Sequence, residues 1–127
     1  MSTGSHVKGI GVDAVDIARF RTSLARTPSM RDRLFTPEEL AYVAPKADAT
    51  QSLAARFAAR EAVMKAMGLG LGAFGFHDVW VTRAASGVPS LCFAGAAAEL
   101  AAAAGVTRWH LSLTHSELIA IAYVVAE

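Results

Sequence analysis

The longest helical pattern in the chain covers residues 51–67, and it constrains the fold more than any other feature. Apolar side chains recur near one face at helical spacing: Leu53, Phe57, Met64 and Met67. Gly68 follows as a natural helix stop. Glu61 and Lys65 lie one turn apart, and Glu61 falls along the apolar face rather than opposite it. An acid in that position is partly desolvated and requires a counter-charge or a cation.

The segment near the N-terminus predicts a strand that leads to a single acid. Residues 7–12 are β-branched and glycine-rich, Asp13 follows them, and residues 13–26 have helical spacing. Asp13 is either the N-cap of that helix or a site carboxylate at a strand end. One carboxylate at a strand end and another on a helix, with a lysine beside it, is the set that would hold Mg²⁺ against a diphosphate. This pairing predicts an enzyme.

The remaining patterns predict an α+β fold. Thr36, Pro37 and Glu39 form a capping-box signature for a helix that ends before Pro45. The later predicted elements are a hairpin (79–82 and 88–93), an alanine-rich helix (94–104) and two final strands (109–114 and 118–125). The order of strand, helices, hairpin, helix and hairpin is typical of a small, mostly antiparallel sheet packed against helices.

Length and composition predict one domain over residues 7–127, preceded by a flexible leader at residues 1–6. The chain has 127 residues, of which 54% are hydrophobic and 18% are charged, and this composition excludes general disorder. No apolar run approaches the ~20 residues of a membrane span. A single cysteine, Cys92, cannot form an internal disulfide, which favours a reducing compartment. We therefore expect a cytoplasmic protein.

Basic side chains cluster in the region of the first helix. They are Arg19, Arg21, Arg26, Arg31 and Arg33, opposed only by Asp16 and Asp32. The cluster is either an ordinary solvated surface or a docking surface for an acidic partner. A nucleic-acid partner is disfavoured, because the net charge is only +1 and no aromatic residues are interleaved for base stacking.

Three further features have two interpretations each. The pair formed by Glu61 and Lys65 is either a site or an ordinary surface pair at helical spacing. His115, at a predicted strand end, is either a solvated turn residue or a site residue. Residues 68–72 are glycine-rich but follow a helix, so they lack the strand context of a phosphate-binding loop and are interpreted as a flexible loop.

Taken together, the motifs resemble those of the holo-acyl-carrier-protein synthase family, the small single-domain phosphopantetheinyl transferases. Residues 9–13 (Gly-Ile-Gly-Val-Asp), 56–66 (Arg-Phe-Ala-Ala-Arg-Glu-Ala-Val-Met-Lys-Ala) and 111–115 (Leu-Ser-Leu-Thr-His) match in the family's order. Residues 35–40 (Phe-Thr-Pro-Glu-Glu-Leu) resemble the family segment at that place. The similarity extends over residues 7–127.

The resemblance implies transfer of the phosphopantetheine arm of coenzyme A to a serine of an apo acyl carrier protein, with release of adenosine 3′,5′-bisphosphate. It implies that Asp13 and Glu61 are the Mg²⁺ ligands and that Glu61, Lys65 and His115 are catalytic. Arg56, Lys65 and His115 would contact phosphates of the coenzyme. The proton acceptor is open between His115 and a metal-bound water.

The resemblance also implies partners. Arg19 and Arg26 would meet the acidic recognition helix of the carrier protein, which belongs to fatty-acid or polyketide synthesis. A homotrimer with the coenzyme between subunits is implied, with no nucleic acid or membrane as partner.

Two departures from the family pattern and two alternatives remain. Arg60 stands where the family often has lysine. The second acid that larger transferases use as a metal ligand, two residues after the first, is missing here, because Ala14 and Val15 follow Asp13 and the next acid is Asp16. Asp16 is then expected to supply charge at a helix N-terminus. One alternative function is a non-catalytic α+β module that docks an acidic partner through its arginine-rich helix, and another is a Mg²⁺-dependent hydrolase of nucleotide diphosphates.

Overall fold

The structure is a computed structural model that describes residues 6–127. The predicted leader therefore lies outside the described residues except for His6, which is exposed. The elements in chain order are β1 (Gly9–Asp16), α1 (Ile17–Arg26), α2 (Met30–Leu34), α3 (Pro37–Val43), α4 (Thr50–Ala66), a 3₁₀ helix (Phe76–Asp78), β2 (Val79–Arg83), β3 (Pro89–Phe93), α5 (Gly95–Ala103), β4 (Trp109–His115) and β5 (Ile119–Ala126). No helix within the described part of the chain is long and apolar enough to cross a membrane.

The strands form two antiparallel sheets rather than the single sheet predicted. One has the order β1-β5-β4, and the other is the predicted hairpin of β2 and β3. The rings of Phe93 in β3 and Trp109 in β4 stack with centroids 4.7 Å apart, and this contact joins the hairpin to the three-stranded sheet. The α+β class is confirmed.

The first strand is longer than predicted, and this corrects the interpretation of Asp13. β1 continues to Asp16 because its ladder with β5 continues to the pair Asp16↔Ile119. Asp13 is therefore in the middle of a strand, opposite Ala122, and it is neither a strand end nor an N-cap. The cap is Asp16, whose Oδ1 accepts the backbone N–H of Arg19 at 2.9 Å. The expectation that Asp16 serves a helix N-terminus is confirmed.

The long helix α4 is the centre of the molecule. It packs against β1, β5, β4, α1 and β2. It is buried on nearly all sides, so the predicted single apolar face was too narrow a description. Alanine at many of its positions leaves room for neighbours on several sides. The helix before it, α3, begins with the predicted capping box between Thr36 and Glu39.

Two glycines allow β1 to lie directly on the backbone of α4. A Cβ atom placed on Gly11 would lie 1.8 Å from the carbonyl oxygen of Ala62, and one on Gly9 would lie 1.8 Å from that of Ala66. Only glycine fits at such an approach. The motif at residues 9–13 therefore has a structural meaning, since it fixes the distance between the strand that carries Asp13 and the helix that carries Glu61.

The three-stranded sheet has one covered and one open face. Ala120, Ala122 and Val124 of β5 point toward α4 and are fully buried. The opposite face exposes large apolar side chains, which we call the outer sheet face: Ile10 (55% exposed), Val12 (47%), Ile119 (38%) and Tyr123 (46%). In the described part of the chain, no element covers these four residues.

Candidate functional site

Asp13 and Lys65 are in direct contact although 52 residues separate them. The Lys65 ammonium group donates to Asp13 Oδ1 at 2.9 Å and to the backbone carbonyl of Val12 at 3.1 Å. The Lys65 side chain is 55% exposed and that of Asp13 is 18% exposed, so the pair lies at the surface with its acid partly shielded. This contact brings the two segments together, while the assignment of Asp13 and Glu61 as Mg²⁺ ligands stays a prediction.

Glu61 lies beside this pair, and both members of the pair affect the pKa of its carboxyl. It lines the same cavity as Asp13. Partial burial raises the pKa of the Glu61 carboxyl, the nearby charge of Asp13 raises it further, and Lys65 opposes the effect. Two carboxylates that repel each other across a cavity favour a bound cation between them.

The cavity measures about 350 Å³ and extends from the acids toward helix α1. Its other walls come from residues 14–16 at the end of β1, which include Asp16, from Arg19, Phe20 and Ser23 of α1, and from Phe57 of α4. The rings of Phe20 and Phe57 lie 5.5 Å apart, centroid to centroid, and hold α1 against α4. Ser23 and the two phenylalanines were not identified from sequence, because nothing in the helical pattern distinguishes a cavity wall from core.

Next to this cavity, α1 carries a second and basic depression. Arg19 and Arg26 line it with Ala18, Thr22 and Ser23, and Arg19 and Ser23 are shared by both cavities. Arg21, by contrast, donates to Asp48 Oδ2 at 2.9 Å and is partly neutralised. The two arginines predicted to bind a partner therefore lie beside the acidic site, on the exposed part of one helix.

His115 is on the same side of the sheet as Asp13 but on the far strand. It pairs with Ala120 of β5, which in turn pairs with Val15 of β1. Since β4 and β1 flank β5, they are about 10 Å apart. The exposed imidazole is not in the wall of the acidic cavity. The structure does not bring His115 to Asp13 within one chain.

Arg56 is also separate from the acidic cavity. It precedes Glu61 by five residues, so the two side chains leave α4 about 140° apart. Its guanidinium is buried (1% exposed), lies 4.6 Å from the ring centroid of Tyr42, and donates to the Ser52 carbonyl at 3.2 Å. Its Nε is buried without a hydrogen-bond partner. Burial lowers the pKa of this guanidinium, and Glu39 opposes the change.

Arg60, the residue that stands in place of the family's usual lysine, is a core residue. Its side chain is fully buried and forms a two-pronged ion pair with buried Glu39, with Nη1 at 3.0 Å from Oε2 and Nη2 on Oε1. Arg60 Nε donates to the Phe76 carbonyl at 2.7 Å. Glu39 Oε2 also accepts the N–H of Val81 at 3.1 Å. The pair ties α3, α4 and β2 together.

Two carboxylates with a lysine are a suitable set for a hard divalent cation. Mg²⁺ takes one or two protein carboxylates and fills its other positions with water and phosphate oxygens. Over residues 6–127, no group of three or more His, Cys, Asp and Glu side chains could hold a metal. The donors at this site therefore fit Mg²⁺ better than a metal that needs a full protein cage.

Comparison with known proteins gives consistent matches over nearly the whole chain. The family profile described as "4'-phosphopantetheinyl transferase superfamily" matches residues 9–123. A holo-[acyl-carrier-protein] synthase from Clavibacter sepedonicus is 50% identical over 121 residues, covering 95% of this chain and 96% of that protein.

Solved structures agree with this match. Holo-[acyl-carrier-protein] synthase from Neisseria meningitidis has a TM-score of 0.88 at 33% identity, covering 96% of this chain and 99% of the other. The enzyme of the same name from Bacillus anthracis, solved in complex with coenzyme A, has a TM-score of 0.80 at 30% identity and covers 96% and 97%.

Proposed function

Because the chain belongs to the 4′-phosphopantetheinyl transferase superfamily, we propose that it transfers the phosphopantetheine arm of coenzyme A to a serine of an apo acyl carrier protein. The products are the holo carrier protein and adenosine 3′,5′-bisphosphate. The observation that carries the proposal is the convergence of Asp13, Glu61 and Lys65, from two distant segments, beside one surface cavity. A cytoplasmic location and a role in fatty-acid or polyketide synthesis stay predictions.

Asp13 and Glu61 would hold a Mg²⁺ ion at this site. Bound there, the ion would offset the negative charge of the diphosphate and of the departing bisphosphate. Lys65 supplies a compact positive charge to the same diphosphate, and its bonds to Asp13 and Val12 hold the ammonium at the edge of the cavity. The acids and the lysine thus orient the diphosphate for attack by the carrier serine.

Arg19 and Arg26 would dock the carrier protein. Both arginines are exposed, and Arg19 lines the acidic cavity as well as the basic depression. An acidic helix placed on α1 would bring its serine to the cavity that contains Asp13 and Glu61. Complementary charge of this kind increases the association rate and fixes the orientation of the partner.

A homotrimer would complete the site. Arg56 and His115, the remaining phosphate-binding candidates, lie away from the acidic cavity of their own chain. In a cyclic assembly each chain would contribute its exposed His115 to the site of a neighbour, whereas Arg56 is buried in its own chain and would stay a structural residue unless it moved. The outer sheet face supports this arrangement, because four large apolar side chains in one patch are typical of a protein contact. His115 is then the proposed proton acceptor for the carrier serine.

The transfer is tested by mass spectrometry of apo carrier proteins incubated with coenzyme A and Mg²⁺. We expect the mass gain of one phosphopantetheine, and we expect Glu61→Ala to abolish it while circular dichroism stays unchanged. Unmodified carriers across a panel from fatty-acid and polyketide systems would refute the proposal. Release of bisphosphate without a carrier would indicate a hydrolase instead.

The shared site is tested by co-expressing two inactive variants, Asp13→Ala and His115→Ala, with different affinity tags. In random trimers about a quarter of the sites combine an intact Asp13 with an intact His115 from a neighbour. Every doubly tagged trimer contains both variants and has one such site of three, so we expect doubly tagged protein to recover up to about a third of wild-type activity. If particles that carry both tags recover no activity, the two residues act within one chain or not at all.

A further inference from the structure

Helix α1 carries arginines on two opposite flanks. Because successive residues of a helix are about 100° apart, Arg19 and Arg26 project within about 20° of each other, whereas Arg21 projects about 160° away from Arg19. Arg19 and Arg26 line the basic depression, and among residues 6–127 neither forms an ion pair. Arg21 instead meets Asp48, in the loop between α3 and α4. An acidic partner could thus find an arginine on either flank of this helix.

Asp48 is held against Arg21 as a charged group. Its Oδ2 accepts a hydrogen bond from Arg21 at 2.9 Å, and its Oδ1 accepts the backbone N–H of Thr50 at 3.0 Å. The hydrogen bonds from Thr50, and then that from Arg21, lower the pKa of the Asp48 carboxyl to about 2, so it is ionised at neutral pH. Both side chains of the ion pair are at least half exposed, and such a pair adds little to folding stability. Its main consequence is electrostatic, because an approaching partner meets two charges that lie well within one ~8 Å screening length and largely cancel.

Without Asp48, its flank of α1 would be as basic as the other. A groove of about 370 Å³ borders the residues on either side of Asp48, with Arg31 and Lys46 as its positive walls and Asp32 as its negative wall. Together with Arg21, this flank has three cations against two acids, which leaves one positive charge. Removal of Asp48 would leave two positive charges, the same number that the basic depression carries. Asp48 therefore makes the two flanks unequal.

Only one of the two flanks leads to the proposed reacting groups. The basic depression shares Arg19 and Ser23 with the acidic cavity, whereas none of the residues in the groove wall lines that cavity. A carrier protein docked on the groove side would hold its serine away from Asp13 and Glu61. A folded partner is wider than the ~10 Å diameter of a helix, so a carrier on one flank excludes a carrier on the other. Docking on the groove side would be competitive and non-productive.

We propose that Asp48 directs the acyl carrier protein to the Arg19 side of α1 by neutralising Arg21 on the opposite side. The inference rests on the proposed function, and it deepens it by assigning a specificity-determining residue that does not contact the reacting groups. An acid placed on the wrong docking surface repels an acidic partner there, and such repulsion contributes to specificity. The role was not identified from sequence, because Arg21 and Asp48 are 27 residues apart and meet only in the folded chain.

The test is steady-state modification of an apo carrier protein by wild-type and Asp48→Asn protein, with the carrier concentration varied at saturating coenzyme A. Equal charge on the two flanks should place about half of the bound carrier on the wrong side. Competitive non-productive binding lowers kcat and KM by the same factor, so we expect both to fall about twofold while kcat/KM for the carrier stays unchanged. A lower KM at unchanged kcat would mean that Arg21 belongs to the productive surface, and unchanged values of both would mean that Asp48 has no role in docking. Either result would overturn the inference.

Two further variants separate the freed arginine from other effects of the substitution. Arg21→Gln combined with Asp48→Asn removes both charges, and we expect it to restore the wild-type kcat and KM. A double variant that behaves like Asp48→Asn alone would overturn the role of Arg21. Glu99→Gln, the same charge change at an exposed position of α5, is the matched control and should leave both constants unchanged. An equal effect of Glu99→Gln would overturn the inference, because the cause would then be the overall charge.

The fold of the variant is checked by thermal denaturation. An asparagine oxygen can still accept the Thr50 N–H, so we expect Asp48→Asn to melt within about 3 °C of wild type. Transfer by wild-type protein with no effect of Asp48→Asn would reject this inference alone, whereas the absence of any transfer would reject the proposed function.

Discussion

The substitution Gly11→Ala tests whether the contact between β1 and α4 sets the geometry of the site. Asp13 is two residues after Gly11 in the strand, and Glu61 immediately precedes Ala62 in the helix. An alanine Cβ would lie 1.8 Å from the Ala62 carbonyl oxygen, far inside the 3.0 Å below which such contacts essentially never occur. The neighbour is backbone, so the strand and the helix must separate by about 1 Å.

That separation has two calculable effects. Overpacking of this kind costs about 1–3 kcal/mol of folding free energy, or roughly 3–15 °C in melting temperature for a chain of this size. A displacement of about 1 Å between catalytic groups costs about 100-fold in rate. We therefore expect kcat/KM for carrier modification to fall about 100-fold even where the variant is fully folded.

The assay is carrier modification followed by mass spectrometry, run at least 15 °C below the measured melting temperature of the variant. Gly70→Ala is the matched control, because nothing lies within 4 Å of a Cβ at that position. Its activity should stay within twofold of wild type. The reasoning is refuted if Gly11→Ala melts earlier yet keeps more than half of the wild-type activity, since the spacing would then govern stability alone.

Three further predictions concern charged residues. Glu39→Gln leaves buried Arg60 without its counter-charge, so the free energy of unfolding measured in urea should fall by about 3–5 kcal/mol. Glu38→Gln, which is exposed in the same helix turn, is the control and should lower it by under about 0.5 kcal/mol. Equal losses of stability in the two variants would contradict the importance of the pair. The raised pKa of Glu61 means that the folded state holds this proton more tightly, so stability falls as pH rises from about 4.3 through the folded pKa. Glu61→Gln should therefore be more stable than wild type at neutral pH by under about 1 kcal/mol, with the difference vanishing below about pH 4, and a less stable variant at pH 7 would contradict this sign. Arg26→Glu should raise KM for the carrier about tenfold and leave KM for coenzyme A unchanged, because its role is surface complementarity; an equal rise for both would reassign it.

Local chemistry made most of the fold predictable. The capping box at Thr36, the glycine stops and the hairpin patterns are decided by residues within a few positions of each other, and all appear in the structure. The end of β1 was not predictable in this way. Residues 13–16 have helical spacing, but pairing with a strand more than 100 residues later keeps them extended. Tertiary pairing overrides local preference there.

The candidate site also has a part that local sequence predicts and a part that depends on tertiary packing. Asp13, Glu61 and Lys65 could be proposed from sequence because their motifs place charged residues beside apolar ones, and the structure brings Asp13 and Lys65 into contact. The burial of Arg56 and Arg60 could not be foreseen, since a helix covered on nearly all sides hides charged residues that a two-sided pattern would leave in water. Arg60 can be buried because Glu39, its ion-pair partner, neutralises its charge.

The stack between Phe93 and Trp109 gives the molecule a built-in optical reporter. Trp109 belongs to the sheet and Phe93 to the hairpin, so their separation would change the surroundings of the Trp109 indole. The chain has one other tryptophan, Trp80, which lies within the hairpin itself. With Trp80 replaced by phenylalanine, emission from Trp109 would follow detachment of the hairpin during denaturation, while circular dichroism at 222 nm would follow loss of α4. Two curves that do not coincide would reveal that the two halves of the structure melt one after the other.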